Sequence, residues 1–204
     1  MAQVARDARA LVSAALVVSA LVGLVAGRGP LVPIRVSAWT ALVCLVLALT
    51  CSPVALVLRR LASDRARRAG AAVARARRGV GVAAFVLACL HAGLAVSTHL
   101  DFDFGALLAI DRLRHGALAL ALLTPLALTS SQRVVAALHL RAWKALHRAA
   151  YPAAILAVAH ASRGPFAPPS AIIAAAAAVA IAVVARPVLA LIRGGSERAD
   201  ADPS

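Results

Sequence analysis

The chain has few cysteines, few acids and few aromatic residues, and no stretch alternates polar and apolar residues in the manner of a strand. Each shortage excludes something. The three cysteines, Cys44, Cys51 and Cys89, form neither a CxxC pair nor a CxxCH, which excludes a structural zinc site and a covalently attached c-type haem. All three lie in apolar runs and read as small buried hydrophobes. No GxGxxG follows a strand pattern, so no dinucleotide-binding unit is expected. Asp and Glu number 8 against 22 Lys and Arg, a formal net charge of +14. In a soluble protein that balance would suggest nucleic acid. Here no soluble domain is left to carry a groove-reading element, and nucleic acid is not an expected partner.

What is abundant is apolar sequence. Hydrophobic residues make up 62% of the 204 positions and the mean hydropathy is +0.87, a membrane composition. Six candidate spans emerge, at about 10–27, 37–58, 79–98, 115–131, 144–162 and 170–192. Open sheets cannot cross lipid. The expected fold is therefore all-α, a polytopic six-transmembrane-helix bundle over residues 1–193 with a polar, disordered tail over 194–204. The first span follows Arg6 and Arg9 and ends in small residues, as a secretory signal peptide does. The apolar run from Ala10 to Gly27 is long enough to be kept as a span.

Charge placement sets the expected orientation. Arg59, Arg60, Arg65, Arg67, Arg68, Arg75, Arg77 and Arg78 follow the second span, so that loop is assigned to the cytoplasm. Alternation leaves only Arg28, Arg35, Arg112, Arg114 and Arg163 outside and puts both termini in the cytoplasm. The stretch 59–78 reads as a solvated helix hugging the lipid surface, with a docking surface for a soluble electron donor as the alternative. Prolines at 53, 125, 152 and 187 fall inside spans, where neighbouring groups must satisfy the freed carbonyls. The sixth span is nearly all alanine and depends on close packing.

Chemistry is sought among six histidines: His91, His99, His115, His139, His147 and His160. His99 and His115 fall at outer helix ends and His139 in an inner loop, and all three read as interfacial residues. The other three lie deeper. His147 and His160 bracket the run WKALHRAAYPAAILAVAH, 13 residues apart, or roughly 20 Å along a helix. Hydrocarbon is about 30 Å thick, so one imidazole lies near each face. Imidazoles are costly there unless something binds them. Neutral imidazole ligates iron through one ring nitrogen, and stacked b-type haems would supply the reason. Ala149, Ala150, Ala153, Ala154, Ala157 and Ala159 would wall such a site. On an ideal wheel the two histidines stand about 140° apart, and Pro152 between them is expected to alter that phase. The structural alternative is hydrogen bonding across helices. Tyr151 reads as a packing residue, or as a hydrogen-bond partner near an inner haem. Trp39 and Trp143 read as belt residues at opposite faces.

The segments RRGVGVAAFVLACLHAGL, TPLALTSS and WKALHRAAYPAAILAVAH, in that order, resemble the ferric-reductase-like transmembrane family. Within it they resemble haem-binding subunits of the MsrQ (YedZ) type, over roughly residues 37–162. The resemblance implies a multi-pass cytochrome of the bacterial inner membrane carrying one or two b-type haems, with FMN as a further cofactor. It implies His91, His147 and His160 as axial ligands. It also implies electron transfer from a cytoplasmic flavin reductase or quinol to a periplasmic molybdopterin-type reductase of methionine sulfoxide. The chain departs from the pattern in three places. Alanine precedes Trp143 in HLRAW, aromatics make up only 3%, and the third span offers one histidine where the NADPH oxidases carry two. One haem thus lacks a fourth ligand. By depth His91 lies nearer His160 than His147, which points to an outer haem held by His91 and His160. The polar tail leaves no room for a flavin domain, so the donor is expected to be separate. The chain is expected to carry electrons and perform no bond chemistry of its own. The alternatives are a stand-alone ferric or other metal reductase, and a haemless scaffold or transporter subunit.

Overall fold

The computed structural model describes residues 31–61, 63–164 and 167–199. The expected span 10–27 lies outside them, as do residues 200–204. The described chain is helical in the order α1 (Leu31–Arg60), α2 (Asp64–His99), α3 (Ala106–Ala109), α4 (Asp111–Leu128), α5 (Gln132–Ala137), α6 (Leu140–Leu146), a 3₁₀ turn (His147–Ala149), α7 (Ala150–Ser162) and α8 (Pro169–Ala199). The second, third, fourth and sixth expected spans fall on α1, α2, α4 and α8. Helix α8 continues to Ala199, through the first residues of the stretch expected as a polar tail.

Two features differ from the sequence expectation. First, residues 59–78 are not a separate surface helix. Arg59 and Arg60 close α1, and the remaining arginines form the opening turns of α2, which runs unbroken to His99. Gly70 lets the two helices touch: a Cβ there would lie 2.9 Å from the carbonyl oxygen of Ala55. A side chain at that position would push the backbones apart.

Second, the fifth span is broken rather than kinked. Its helix stops at Leu146, tightens through the 3₁₀ turn and restarts at Ala150. Pro152 then sits in the first turn of α7, where its missing N–H leaves no helical bond unmade. A 3₁₀ residue advances about 120° instead of about 100°, so three of them narrow the phase between His147 and His160 from about 140° to about 80°.

The core joins five helices. It holds Leu45 and Leu49 of α1, Ala84 of α2, Leu123 of α4, Ala153 and Ala154 of α7, and Val179 and Ala182 of α8. Ala153, Ala154 and Ala182 are fully buried. Small residues at these crossings let backbones approach closely, the packing that lipid favours. Two of the alanines expected to wall a cofactor are thus spent on helix contacts. The exterior is apolar, with Val43, Leu47, Val57, Leu118, Ile155, Ile173 and Ile181 all exposed. Among the described residues, α1 and α2 are long and apolar enough to cross a membrane, and Pro169–Ala185 is a shorter apolar stretch. Only 28% and 17% of the apolar windows of α1 and α2 are buried within the chain. A core helix of a soluble protein would be mostly covered, so these outward faces require an apolar surrounding.

Ala154→Leu forces a larger side chain into the five-helix crossing, at a cost of about 1–3 kcal/mol. Its midpoint in detergent thermal unfolding is expected to fall, whereas Ile155→Leu, one residue on and facing outward, leaves it unchanged.

Candidate functional site

His91 lies late in α2, beside the start of α1. Its Nδ1 donates to the carbonyl oxygen of Ile34 at 3.1 Å, which also accepts from Ser37 Oγ at 3.0 Å. His160 lies near the end of α7, beside the start of α4, and its Nδ1 donates to the carbonyl oxygen of Arg112 at 2.9 Å. A carbonyl can only accept, so each Nδ1 carries the proton. In a neutral ring the other nitrogen, Nε2, is then a bare base. The two ring centres lie 6.1 Å apart with planes inclined at 63°.

Two metal–imidazole bonds of about 2 Å, with each ring centre about 1 Å behind its nitrogen, separate two centres by about 6 Å across a shared ion. The observed spacing matches that arrangement. The carbonyl bonds behind each ring are the outer-shell contacts that fix tautomer and orientation in metal sites. Gly116 completes the setting. It lies one turn beyond Arg112 in α4, and a Cβ there would lie 3.0 Å from His160 Nδ1 and 3.1 Å from its Cε1.

His147 is not part of this pair. It occupies the 3₁₀ turn and stacks on Trp143, with ring centres 4.1 Å apart. Its Nε2 lies 3.3 Å from Thr129 Oγ1, and that hydroxyl donates to the Pro125 carbonyl at 2.6 Å. With its proton so used, the hydroxyl accepts from His147, which therefore carries its proton on Nε2. Trp143 Nε1 donates to the Thr129 carbonyl at 3.2 Å, so it acts as a specific strut as well as an interfacial residue. Beside this cluster lies a cavity of about 180 Å³, lined by Ala48, Gly81, Leu126 and Ser130 together with Arg77, Arg78, Trp143 and His147.

The remaining histidines lie apart. His99 and His139 are exposed. His115 donates from Nδ1 to the Asp111 carbonyl, and the Arg163 guanidinium lies 3.1 Å from its Nε2. Tyr151 packs against the five-helix core. Sequence reasoning missed Gly116, the two carbonyls and the role of Thr129. A glycine inside the apolar pattern LRHGALAL was a usable sign of close approach.

Nitrogen-15 NMR of ligand-free protein in micelles is expected to show His91 and His160 protonated at Nδ1 and His147 at Nε2. One tautomer common to all three would contradict the hydrogen bonds described.

Residues 36–158 match the family described as ferric reductase like transmembrane component. That stretch contains His91, Gly116 and His147 and stops two residues short of His160. The chain is 44% identical over 90 residues to the protein-methionine-sulfoxide reductase heme-binding subunit MsrQ of Rhodospirillum rubrum, covering 42% of this chain and 43% of that protein. It is 42% identical over 94 residues to the MsrQ subunit of Azospira oryzae, covering 42% of this chain and 39% of that protein. The matches thus span about four tenths of the length of these curated relatives. With more than half of its residues inside the family match, the chain belongs to the ferric-reductase-like transmembrane family.

Proposed function

We propose that this chain is a membrane b-type cytochrome that carries electrons across the bilayer, with His91 and His160 as the axial ligands of one haem. The observation that carries the reading is the pair itself. Two imidazoles from different helices stand 6.1 Å apart, each with Nδ1 held by a backbone carbonyl. Haem bound there supplies reversible one-electron chemistry at iron. The protein's part is to hold two neutral rings with their centres 6.1 Å apart and each Nε2 free of a proton. Gly116 leaves His160 its place, and outward-facing apolar side chains keep the bundle in lipid.

His147 is the residue that would hold a second haem. To do so through Nε2 it would release the Thr129 hydroxyl and carry its proton on Nδ1 instead. Arg77 and Arg78 line the same cavity and supply cations suited to the carboxylates of such a group. No second imidazole faces His147 among the ring contacts of the described residues. A single pair at His91 and His160, with a differently ligated inner haem, therefore suits these residues better than two equal sites.

The relatives' printed role, a heme-binding subunit of protein-methionine-sulfoxide reductase, supports placing this chain in such a system. On this reading the chain spans the bacterial inner membrane six times with both termini in the cytoplasm. Electrons enter on the side of His147, Arg77 and Arg78, from a cytoplasmic flavin reductase, with or without FMN, or from quinol. They leave on the side of His160 to a periplasmic molybdopterin-type reductase.

A reduced-minus-oxidised visible spectrum with haem quantitation tests the ligands. The parent is expected to show b-type bands, and His91→Ala and His160→Ala each to lose the same haem. His147→Ala retains that haem. Gly116→Val displaces His160 and weakens its retention at least several-fold, while the variant stays folded by circular dichroism. Full haem content with unchanged bands in both His91→Ala and His160→Ala would overturn the assignment.

A further inference from the structure

Residues 100–110 join α2 to α4 at the His91–His160 end of the bundle. Their backbone is strained at two neighbouring positions. Asp101 and Phe102 have φ of 43° and 62°. Both values are left-handed, a region that costs any residue with a Cβ and that a bulky side chain seldom enters. Glycine would take the turn freely. Yet position 102 carries an aromatic ring, and that ring is 64% exposed. Phe104 and Leu108 are 63% and 64% exposed, and Ile110 is 46% exposed. Among the described residues, then, little rewards a phenyl group on a strained turn. Strain of this kind persists where a compensating contact exists, and here the contact lies outside these residues.

The level of the loop says what that contact is. The N–H groups of Leu100 and Phe102 both donate to the Val96 carbonyl, each at 3.3 Å. The chain is thereby folded back onto the last turn of α2 and does not rise away from it. Asp103 turns back too, and its carboxylate accepts from the N–H of Gly105 at 2.9 Å and of Ala106 at 3.3 Å. At the far end Asp111 pairs with Arg114, and Arg112 and Arg114 in the first turn of α4 mark the headgroup level. The loop therefore starts and ends at the edge of the hydrocarbon. Its exposed apolar side chains continue the outward apolar surface of the bundle, which runs on along α4 at Leu118. Phe and Leu sunk among headgroups, with polar neighbours left in water, is how an interfacial segment binds.

We propose that residues 102–110 are a lipid-binding element, with Phe102, Phe104, Leu108 and Ile110 seated in the phospholipid leaflet at the His91–His160 end. The occupant is the boundary between headgroups and acyl chains. The seat lies on the link between α2, which carries His91, and α4, whose Arg112 carbonyl holds His160. It requires the membrane setting and no haem.

The test uses the full chain, free of haem, in nanodiscs of phosphatidylcholine and phosphatidylglycerol. The native cysteines are replaced by alanine, and a nitroxide is attached at Ala109→Cys. Lipid-dissolved oxygen is expected to relax the label several-fold more strongly than an aqueous nickel chelate does. Phe102→Asp/Phe104→Asp is expected to reverse that preference, and Phe102→Trp/Phe104→Trp to keep it. Should the double-aspartate variant fail to fold by circular dichroism, Phe102→Gly takes its place. Glycine relaxes the turn while removing the ring, so the chain stays folded and the label turns toward the chelate. A parent label open to the chelate would put the loop in water and overturn the proposal. A label shielded from both reagents would mean that protein covers the loop, either a second copy or residues 1–30, and would overturn it as well. So would an unchanged oxygen preference in the folded aspartate or glycine variant. No arm of the test involves haem, so a failure here leaves the cytochrome reading to its own spectra.

Discussion

A polar atom inside hydrocarbon has no water to turn to, and this constraint orders the whole structure. Among the described residues, no buried side-chain nitrogen or oxygen lacks a partner. The hydroxyls of Ser37, Thr40, Thr124, Thr129 and Ser130 all turn back onto carbonyls of their own helices. His91 and His160 meet the same demand by reaching carbonyls of neighbouring helices. That choice couples four helix ends, those of α1, α2, α4 and α7. It also decides which nitrogen of each ring is left over, so the bonding that makes the bundle tolerable in lipid leaves two bare bases side by side.

Much of this was legible in the sequence. Long apolar runs announced α1, α2, α4 and α8, because length and hydropathy are all that a lipid-facing helix needs. The nearness of His91 to His160 followed from depth alone. Other parts were hidden for identifiable reasons. The break at His147–Ala149 arises where the chain retightens ahead of Pro152, a choice between a kink and a restart that proline does not dictate. The arginine-rich stretch looked like a surface helix because its composition is polar, yet helix continuity and the contact at Gly70 carry it straight into α2. The carbonyls of Ile34 and Arg112 could not be read at all, since every residue offers the same acceptor and only the fold says which one meets an imidazole.

The alanines of the fifth span show how one composition serves two ends. Ala153 and Ala154 vanish into the crossing with α1, α2, α4 and α8. The cavity beside His147 therefore lies toward one end of the bundle and the His91–His160 pair toward the other, with a tightly knit waist between them.

The opposite protonation of the two histidines on the fifth span means that they present different edges. His160 leaves its lone pair at Nε2, on the far side of the ring from its carbonyl, whereas His147 leaves it at Nδ1. On the proposed assignment the outer position takes its group with every hydrogen bond kept, and the inner one only by breaking the Thr129 contact or by turning the other edge of the ring toward the iron.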